Sequence, residues 1–367
     1  MKELTALEKH VCVACGAQAV WDPAKQVIRC PYCGTEAPFE IDRESGKIVE
    51  LDLVSALREL PDELRGWNSE KRAVRCRSCN AVSVFDSERV GQNCQFCGSP
   101  ELVDYEEIKA PIRPQSLLPF KLGISEVRDR LRNWIGSLWF APGTLKARAL
   151  VDQVRGIYLP YWTFDAQVSC RWTAMAGYYY QTTESYMSGG RILTKQVRHV
   201  RWVPASGEIE HFFDDEPVAG SRGISPDLLK RVEPWPTQEL VPYDTAYLSG
   251  FVVEHYQVIL FDAAKAARVS MREKLHTMCA LQVPGDTYKD LQVFPVFFGE
   301  TFKHILVPVW LLTYNYGART FQVLVNGYTG TIAGGRPWSL WKILAAVVLI
   351  LFVIWIAVVL GSLSGQS

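Results

Sequence analysis

Eight of the chain's ten cysteines stand in four Cys-x-x-Cys pairs, Cys12/Cys15, Cys30/Cys33, Cys76/Cys79 and Cys94/Cys97. Two thiolates three positions apart can both turn toward one ion from a tight turn. A second such turn, brought alongside by a short hairpin, completes a tetrahedral four-sulfur site. Fourteen residues separate the two pairs in each half, room for two short strands and their connection. The second half repeats the first at an offset of 64 (76 − 12, 79 − 15, 94 − 30, 97 − 33), and Val20-Trp21-Asp22 falls on Val84-Phe85-Asp86 without a gap. The pattern predicts a duplicated zinc ribbon with two structural zinc ions. Cys12, Cys15, Cys30 and Cys33 would ligate one, and Cys76, Cys79, Cys94 and Cys97 the other. Disulfides or redox-active pairs compete with this reading, but a redox pair belongs at a strand–helix junction of a larger domain, not four times at ribbon spacing. Four thiolates leave no open coordination position, so each site is expected to be structural and not catalytic. A unit of about 30 residues buries too little apolar surface to fold alone, and the metal would supply much of its folding free energy. Cys170 and Cys279 remain, both in apolar surroundings that suit small core residues.

Other chemistry is sparse. There is no phosphate loop, no His-Glu-x-x-His and no Gly-x-Ser-x-Gly, so neither an ATP-driven motor nor a familiar hydrolase is supported, and no enzyme is expected. His211 near Asp214-Asp215 and the Glu254-His255 pair could be drawn as acid–base couples, although a charged turn explains the first equally well. Lys71, Arg72, Arg75 and Arg77 cluster beside the third cysteine pair and could grip phosphates, or form a solvated turn balanced by Glu70, Asp86 and Glu88. Tyr178-Tyr179-Tyr180 and Trp162, Trp202, Trp235 and Trp310 read as a binding groove or as ordinary packing.

The elements that must hold these residues are read from composition and periodicity. The 367 residues hold 39 basic and 39 acidic side chains, with 48% hydrophobic content, an ordinary globular balance with no general drive toward nucleic acid. Over residues 1–100 the count is 13 basic to 15 acidic, a net of −2. The start lacks an apolar signal region, and the thiolates require a reducing compartment, which places the amino-terminal part in the cytosol. The expected domains are ribbon one at 1–40, a linker helix within 41–73 and ribbon two at 74–103. A Pro-rich linker at 104–120 and an α+β domain at 121–337 come after them. In the linker helix Leu53, Val54, Leu57, Leu60 and Leu64 recur at helical spacing up to a kink at Pro61. Within the α+β domain, periodicity predicts helices near 125–138, 225–232 and 262–282, the last capped by Asp262. Strands are expected at 157–168, with Pro160 marking an irregularity or edge, and at 291–298, 305–316 and 319–325. Residues 178–190 look like a loop, Pro204-Ala205-Ser206-Gly207 like a hairpin turn between 194–203 and 208–213, and Asn326-Gly327 like a type I′ turn. The absence of a βαβ rhythm favours α+β with an antiparallel sheet.

Ile343–Leu360 is 18 residues without a charge, about 27 Å as a helix, flanked by Trp338, Trp341 and Lys342. A transmembrane helix at 341–361 is therefore expected. It implies a single-pass, tail-anchored protein of the cytoplasmic (inner) membrane with its amino-terminal bulk in the cytosol.

The stretches Leu159-Pro-Tyr-Trp-Thr-Phe-Asp-Ala166, Phe213-Asp-Asp215, Glu233-Pro-Trp235, Pro242-Tyr-Asp244, Leu248-Ser-Gly-Phe251, 302–310 and Val325-Asn-Gly-Tyr-Thr-Gly330 occur in a recognisable order. With the two ribbons, the array resembles bacterial double zinc-ribbon membrane proteins with a carboxyl-terminal transmembrane segment, often labelled as transcription-factor-IIB-type or primosomal helicase-like. The missing phosphate loop argues against the helicase label here. Some related proteins accompany phage-shock-type or flotillin-like membrane systems, so the resemblance implies a scaffold. The expectation is a membrane-anchored adaptor that recruits a protein partner. The alternative is a tether for DNA or RNA, with Arg72, Arg75 and Arg77 on phosphates and Trp21 or Phe85 stacking on bases.

Overall fold

The computed structural model describes residues 10–37, 48–58, 72–79, 81–85, 93–94, 96, 99, 101–104, 112–137, 154–188, 191–316, 319–335 and 339–364. Strands β1 (Val20–Asp22), β2 (Val27–Arg29) and β3 (Glu36–Ala37) form a small antiparallel sheet. A short strand β4 (Leu51–Asp52) leads into helix α1 (Leu53–Arg58). Strands β5 (Arg72–Cys76), β6 (Val82–Phe85) and β7 (Leu102–Asp104) make a second small sheet in the order β6-β5-β7. The predicted linker helix beyond residue 58, with Leu60, Pro61 and Leu64, lies outside the described residues, as do residues 105–111 of the linker.

The body begins with β8 (Ser116–Leu117) and α2 (Ile124–Ser137), whose Val127, Leu131 and Ile135 are buried as the helical spacing requires. Three strands of about thirty residues then dominate: β9 (Arg155–Ser188), β10 (Arg191–Ala219) and, later, β13 (Thr287–Tyr316). Between them lie α3 (Pro226–Val232), β11 (Val241–Pro242), β12 (Val252–Val253) and α4 (Leu260–Gln282). β14 (Arg319–Asn326), β15 (Ile332–Gly334) and α5 (Leu340–Ser364) complete the order. The main path of the large sheet is β10-β9-β13-β14-β15, and β4 pairs with β13 at Thr301 and Phe302.

The expected α+β domain is corrected accordingly: the fold is mostly large antiparallel curled sheet, with α1, α2, α3 and α4 packed against it. Residues 178–188 are the continuation of β9, and Pro204–Gly207 runs straight through β10, paired with Met175 to Trp172. The sequence signals mislead for a physical reason. β10 is an edge strand, where a proline without an N–H costs no ladder bond if that side faces outward. Gly207 leaves room for the Trp172 indole, whose atoms stand 2.6–2.8 Å from where a Cβ would be. At Asn326 the connection is longer than a two-residue turn: its carbonyl accepts from Gly330 N–H and its side chain from the N–H groups of Tyr328 and Thr329. α4 begins at Leu260, so Asp262 sits in its first turn and does not cap it.

The long strands bend at one level. β10 bulges between Phe213 and Glu216, and β13 bulges between Phe298 and Thr301, both opposite the stretch Phe164–Gln167 of β9. Asp165, 2% exposed, accepts the Asp215 N–H at 2.7 Å and the Thr301 hydroxyl at 2.8 Å, joining the two bulges. Lys303 Nζ lies 2.7 Å from Asp215 and 3.1 Å from Glu50. α4 grips the same bend from outside, pairing Arg268 with Glu300 and Lys274 and Ser270 with Glu216. Nothing local in the sequence announces this arrangement.

The carboxyl-terminal expectation is corrected as well. Among the described residues no helix is long and apolar enough to cross a membrane. The single-pass anchor, and the inner-membrane placement that rested on it, are not supported.

Candidate metal centres

In ribbon one the chain makes the same turn twice. Gly16 N–H returns to Cys12 O and Gly34 N–H to Cys30 O. Both glycines adopt positive φ (73° and 76°), the left-handed conformation that lets the turn close behind the second cysteine. The β1–β2 hairpin brings the turns together. The sulfurs of Cys12, Cys15, Cys30 and Cys33 all lie within 4.8 Å of one another, with Cys12–Cys33 at 3.5 Å and Cys15–Cys30 at 3.6 Å. Those spacings far exceed the ~2.05 Å of a disulfide. They sit close to the ~3.8 Å edge of a tetrahedron with 2.3 Å metal–sulfur bonds.

Ribbon two repeats the geometry at the 64-residue offset. Cys12 N–H bonds to Ala17 O and Cys30 N–H to Thr35 O; their counterparts are Cys76 N–H to Ala81 O and Cys94 N–H to Ser99 O. Cys76, Cys79 and Cys94 cluster within 4.8 Å, Cys79 and Cys94 being 3.5 Å apart. The predicted fourth ligand, Cys97, lies outside the described residues. The two clusters are geometrically compatible with two zinc sites and could hold metal ions.

The protein already favours thiolate at two of these sulfurs. Amides of Ala14 and Cys15 lower the Cys12 pKa, and the hydroxyl and amide of Thr35 hold Cys33 down to about 6. Cys15, in spite of the Ala17 amide, is pushed up to about 12 by the crowded thiols of Cys33 and Cys30. A cation at the centre reverses that crowding, because each sulfur then faces positive charge.

Both ribbons are built into the body. Ala19, Trp21 and Ile28 belong to one core with Tyr247, Leu248 and Trp310. Trp21 N–H bonds to Ser249 O, and the Ser249 hydroxyl donates to Ala19 O. Phe96, 0% exposed, seats ribbon two against Thr313 and Gln322, which both donate to its carbonyl. The side of ribbon one facing away carries apolar residues between the cysteines: Val13 is 93% and Tyr32 81% exposed.

The remaining candidates are dispersed. Cys170 and Cys279 meet in the core at 4.0 Å. Asp214 and Asp215 lie in the β10 bulge, Asp215 bound to Lys303, while His211 packs on the Phe213 ring at 4.5 Å. Trp162, Trp235 and Trp310 are buried in separate cores. Trp202 is half-buried with Lys289 above it, and Tyr178–Tyr180 lie far along β9. They line no common groove. A cleft of about 950 Å³ between α3, α4 and the end of β10 has no signal in the sequence; Glu216 and Lys274 stand paired on its wall, with Glu233 nearby.

Glu254 and His255 are buried, and His304 is buried beside Trp162, its ring stacked at 4.7 Å. Burial pushes Glu254 up to about 8, His255 down to about 4, and His304 down to about 3. For each histidine the unfolded chain takes up a proton below pH 6.5 that the folded protein refuses. Stability is therefore expected to fall as pH drops from 6.5 toward 4, by up to about 1.4 kcal/mol per pH unit per histidine. Glu254 acts oppositely, holding a proton from its ordinary 4.5 up to about 8, so its contribution declines as pH rises through that window. Denaturation midpoints across pH 4–8 should peak near 6.5, and His304→Gln should nearly flatten the limb between pH 4.5 and 6.5, where His255 and Glu254 then offset each other.

No family model matches the chain, and no solved structure matches it. It is similar to the uncharacterized protein YdjG of Bacillus subtilis (strain 168), with 26% identity over 339 residues that cover 86% of this chain and 92% of that protein. Coverage of 86% cannot fit within residues 1–103, so the likeness includes the region that builds the large sheet.

Proposed function

We propose that this protein is a zinc-ribbon adaptor: two zinc ions rigidify paired ribbons, the first of which presents an apolar surface to a protein partner. Sulfur-only donor sets suit zinc and leave it no open position for a substrate, so the metal's part is to hold the fold. The observation that carries the reading is the two-sidedness of ribbon one. Its Trp21 side is locked into the body, while Val13 and Tyr32 stand out from the two metal-binding turns. An exposed tyrosine is a common anchor of interfaces, and Val13 adds apolar area beside it.

The nucleic-acid reading loses one of its two stacking residues. Trp21 is 3% exposed and packs on Tyr247 at 4.6 Å, so it reaches a base only if the core opens. Arg75 and Arg77 are exposed on β5 and just beyond it, while the side chains of Arg72 and Phe85 lie outside the described residues. Capture experiments with nuclease-treated extracts should retain protein partners on the wild type and lose them on a Val13→Asp/Tyr32→Asp variant of unchanged zinc content. Equal retention by the variant, or binding that disappears with the nucleic acid, would overturn the adaptor.

A further inference from the structure

The far end of the long sheet is a two-stranded arm. β13 first pairs with β9 at Thr287–Gly177; beyond that point Tyr178–Ser188 is paired only with Arg191–Arg201 of β10, and its other edge is open among the described residues. Eleven residues of strand extend about 37 Å. Two strands alone are marginal in water, and an open edge is a template for pairing.

The arm's two edges differ. The β10 edge carries Arg191, Lys195, Arg198 and Arg201, the charge that natural edge strands use against pairing. The β9 edge, Tyr-Tyr-Tyr-Gln-Thr-Thr-Glu-Ser-Tyr-Met-Ser, has one charge, Glu184, no proline and no glycine, and is rich in Tyr and Thr. Tyr179, Tyr180, Tyr186 and Met187 on it are 41–76% exposed.

The direction of the free backbone groups is also fixed. Gly177 O accepts from Asp286 N–H, and Tyr179 N–H donates to Asp286 Oδ2, both on the β13 side. The β9–β10 register is unbroken from Ala166 to Ser188, so the N–H and C=O groups of Gln181, Thr183 and Ser185 point to the open edge as well.

We propose that this edge pairs antiparallel with the same edge of a second copy of the chain, about a two-fold axis at Thr183. The register follows from the pattern. Positions summing to 366 face each other, so Thr183 meets Thr183 as a hydrogen-bonded pair and Gln181 meets Ser185. Tyr180 then falls opposite Tyr186 on one face and Tyr179 opposite Met187 on the other, so each of the four large exposed side chains gains an apolar neighbour. Glu184 opposes Thr182. β13 stops where the arm begins, so the partner's arm fits beside β9 without displacing a strand. The basic β10 strands lie outermost, three strand spacings or about 14 Å apart, beyond the screening length of physiological salt. Eleven edge residues a side is fewer than the 20–30 of a standard interface, so the dimer is a weak, concentration-dependent one.

Sedimentation of the full chain at tens of micromolar should give twice the 41.4 kDa chain mass. Thr183→Pro removes an outward N–H and leaves the β10 ladder intact, so it should weaken the dimer at least tenfold with an unchanged circular-dichroism spectrum. Thr183→Lys and Thr183→Glu place like charges face to face, and each should be monomeric alone; an equimolar mixture should recover the dimer. A monomeric wild type, a dimer that persists in Thr183→Pro and Thr183→Lys, or a mixture that stays monomeric would each overturn the proposal.

Discussion

Cys30→Ser is expected to lose one zinc ion per chain and to unfold ribbon one, with damage that spreads into the body. Cys30 is 0% exposed, and its N–H closes the second turn on Thr35 O. A serine hydroxyl is no thiolate, so the site drops to three ligands, and the metal's contribution to folding (about 10–16 kcal/mol for structural zinc in isolated fingers) is largely withdrawn. The spread into the body distinguishes this ribbon from a free-standing one. Ala19, Trp21 and Ile28 lie in the same core as Tyr247, Leu248 and Trp310, so release of the ribbon uncovers the body. Losing a buried tryptophan typically costs about 3–5 kcal/mol, and the main unfolding transition should shift by that order. Cys15→Ser, at an exposed ligand, should lose the same ion with less direct loss of packing. Metal content and thermal unfolding measured on one sample check both; two ions retained with an unmoved transition would contradict the site.

The second large effect is expected at the bend. Lys303 is 7% exposed and stands between Asp215 and Glu50, with Asp165 alongside. Burial opposes its charge, yet its hydrogen bond with Asp215 and the neighbouring carboxylates keep its pKa above the ordinary value, while burial pushes Asp165 up. Lys303→Met fills the same volume without the charge and leaves Asp215 and Asp165 facing each other in a confined space. Breaking a buried pair on one side costs about 3–5 kcal/mol. Adding Asp215→Asn should return a large part of that loss, since the uncompensated charge goes with it. Arg268→Met, on a pair whose arginine is 43% exposed, should cost about 1 kcal/mol or less. Urea midpoints for the wild type and these three variants test the ranking; a Lys303→Met change as small as that of Arg268→Met would rule out the bend as a site of stored charge pairing.

The parts legible in the sequence are those held by local rules. A ribbon closes within about twenty residues, so its spacing and its 64-residue repeat survive translation into geometry. α2, α3 and α4 announce themselves because a buried helical face recurs every three or four residues. The long strands do not, because Pro204 and Gly207 read as a turn wherever the edge position of β10 is unknown. Asp165, Glu216 and Lys303 are invisible for a related reason: their partners lie 50 to 253 residues away, and a buried charge carries no periodic signal. Trp21 shows the same limit inside a correctly read ribbon. Its place in the ribbon hairpin is legible, but its burial depends on Tyr247 and Ser249, more than two hundred residues later.

X-ray absorption at the zinc edge on the purified full-length chain tests the central claim most directly. Two zinc ions per chain are expected, each with four sulfur neighbours at about 2.3 Å and no oxygen or nitrogen. Absence of zinc, or a shell in which oxygen or nitrogen replaces sulfur, would contradict closed structural sites and with them the adaptor built on two rigid ribbons.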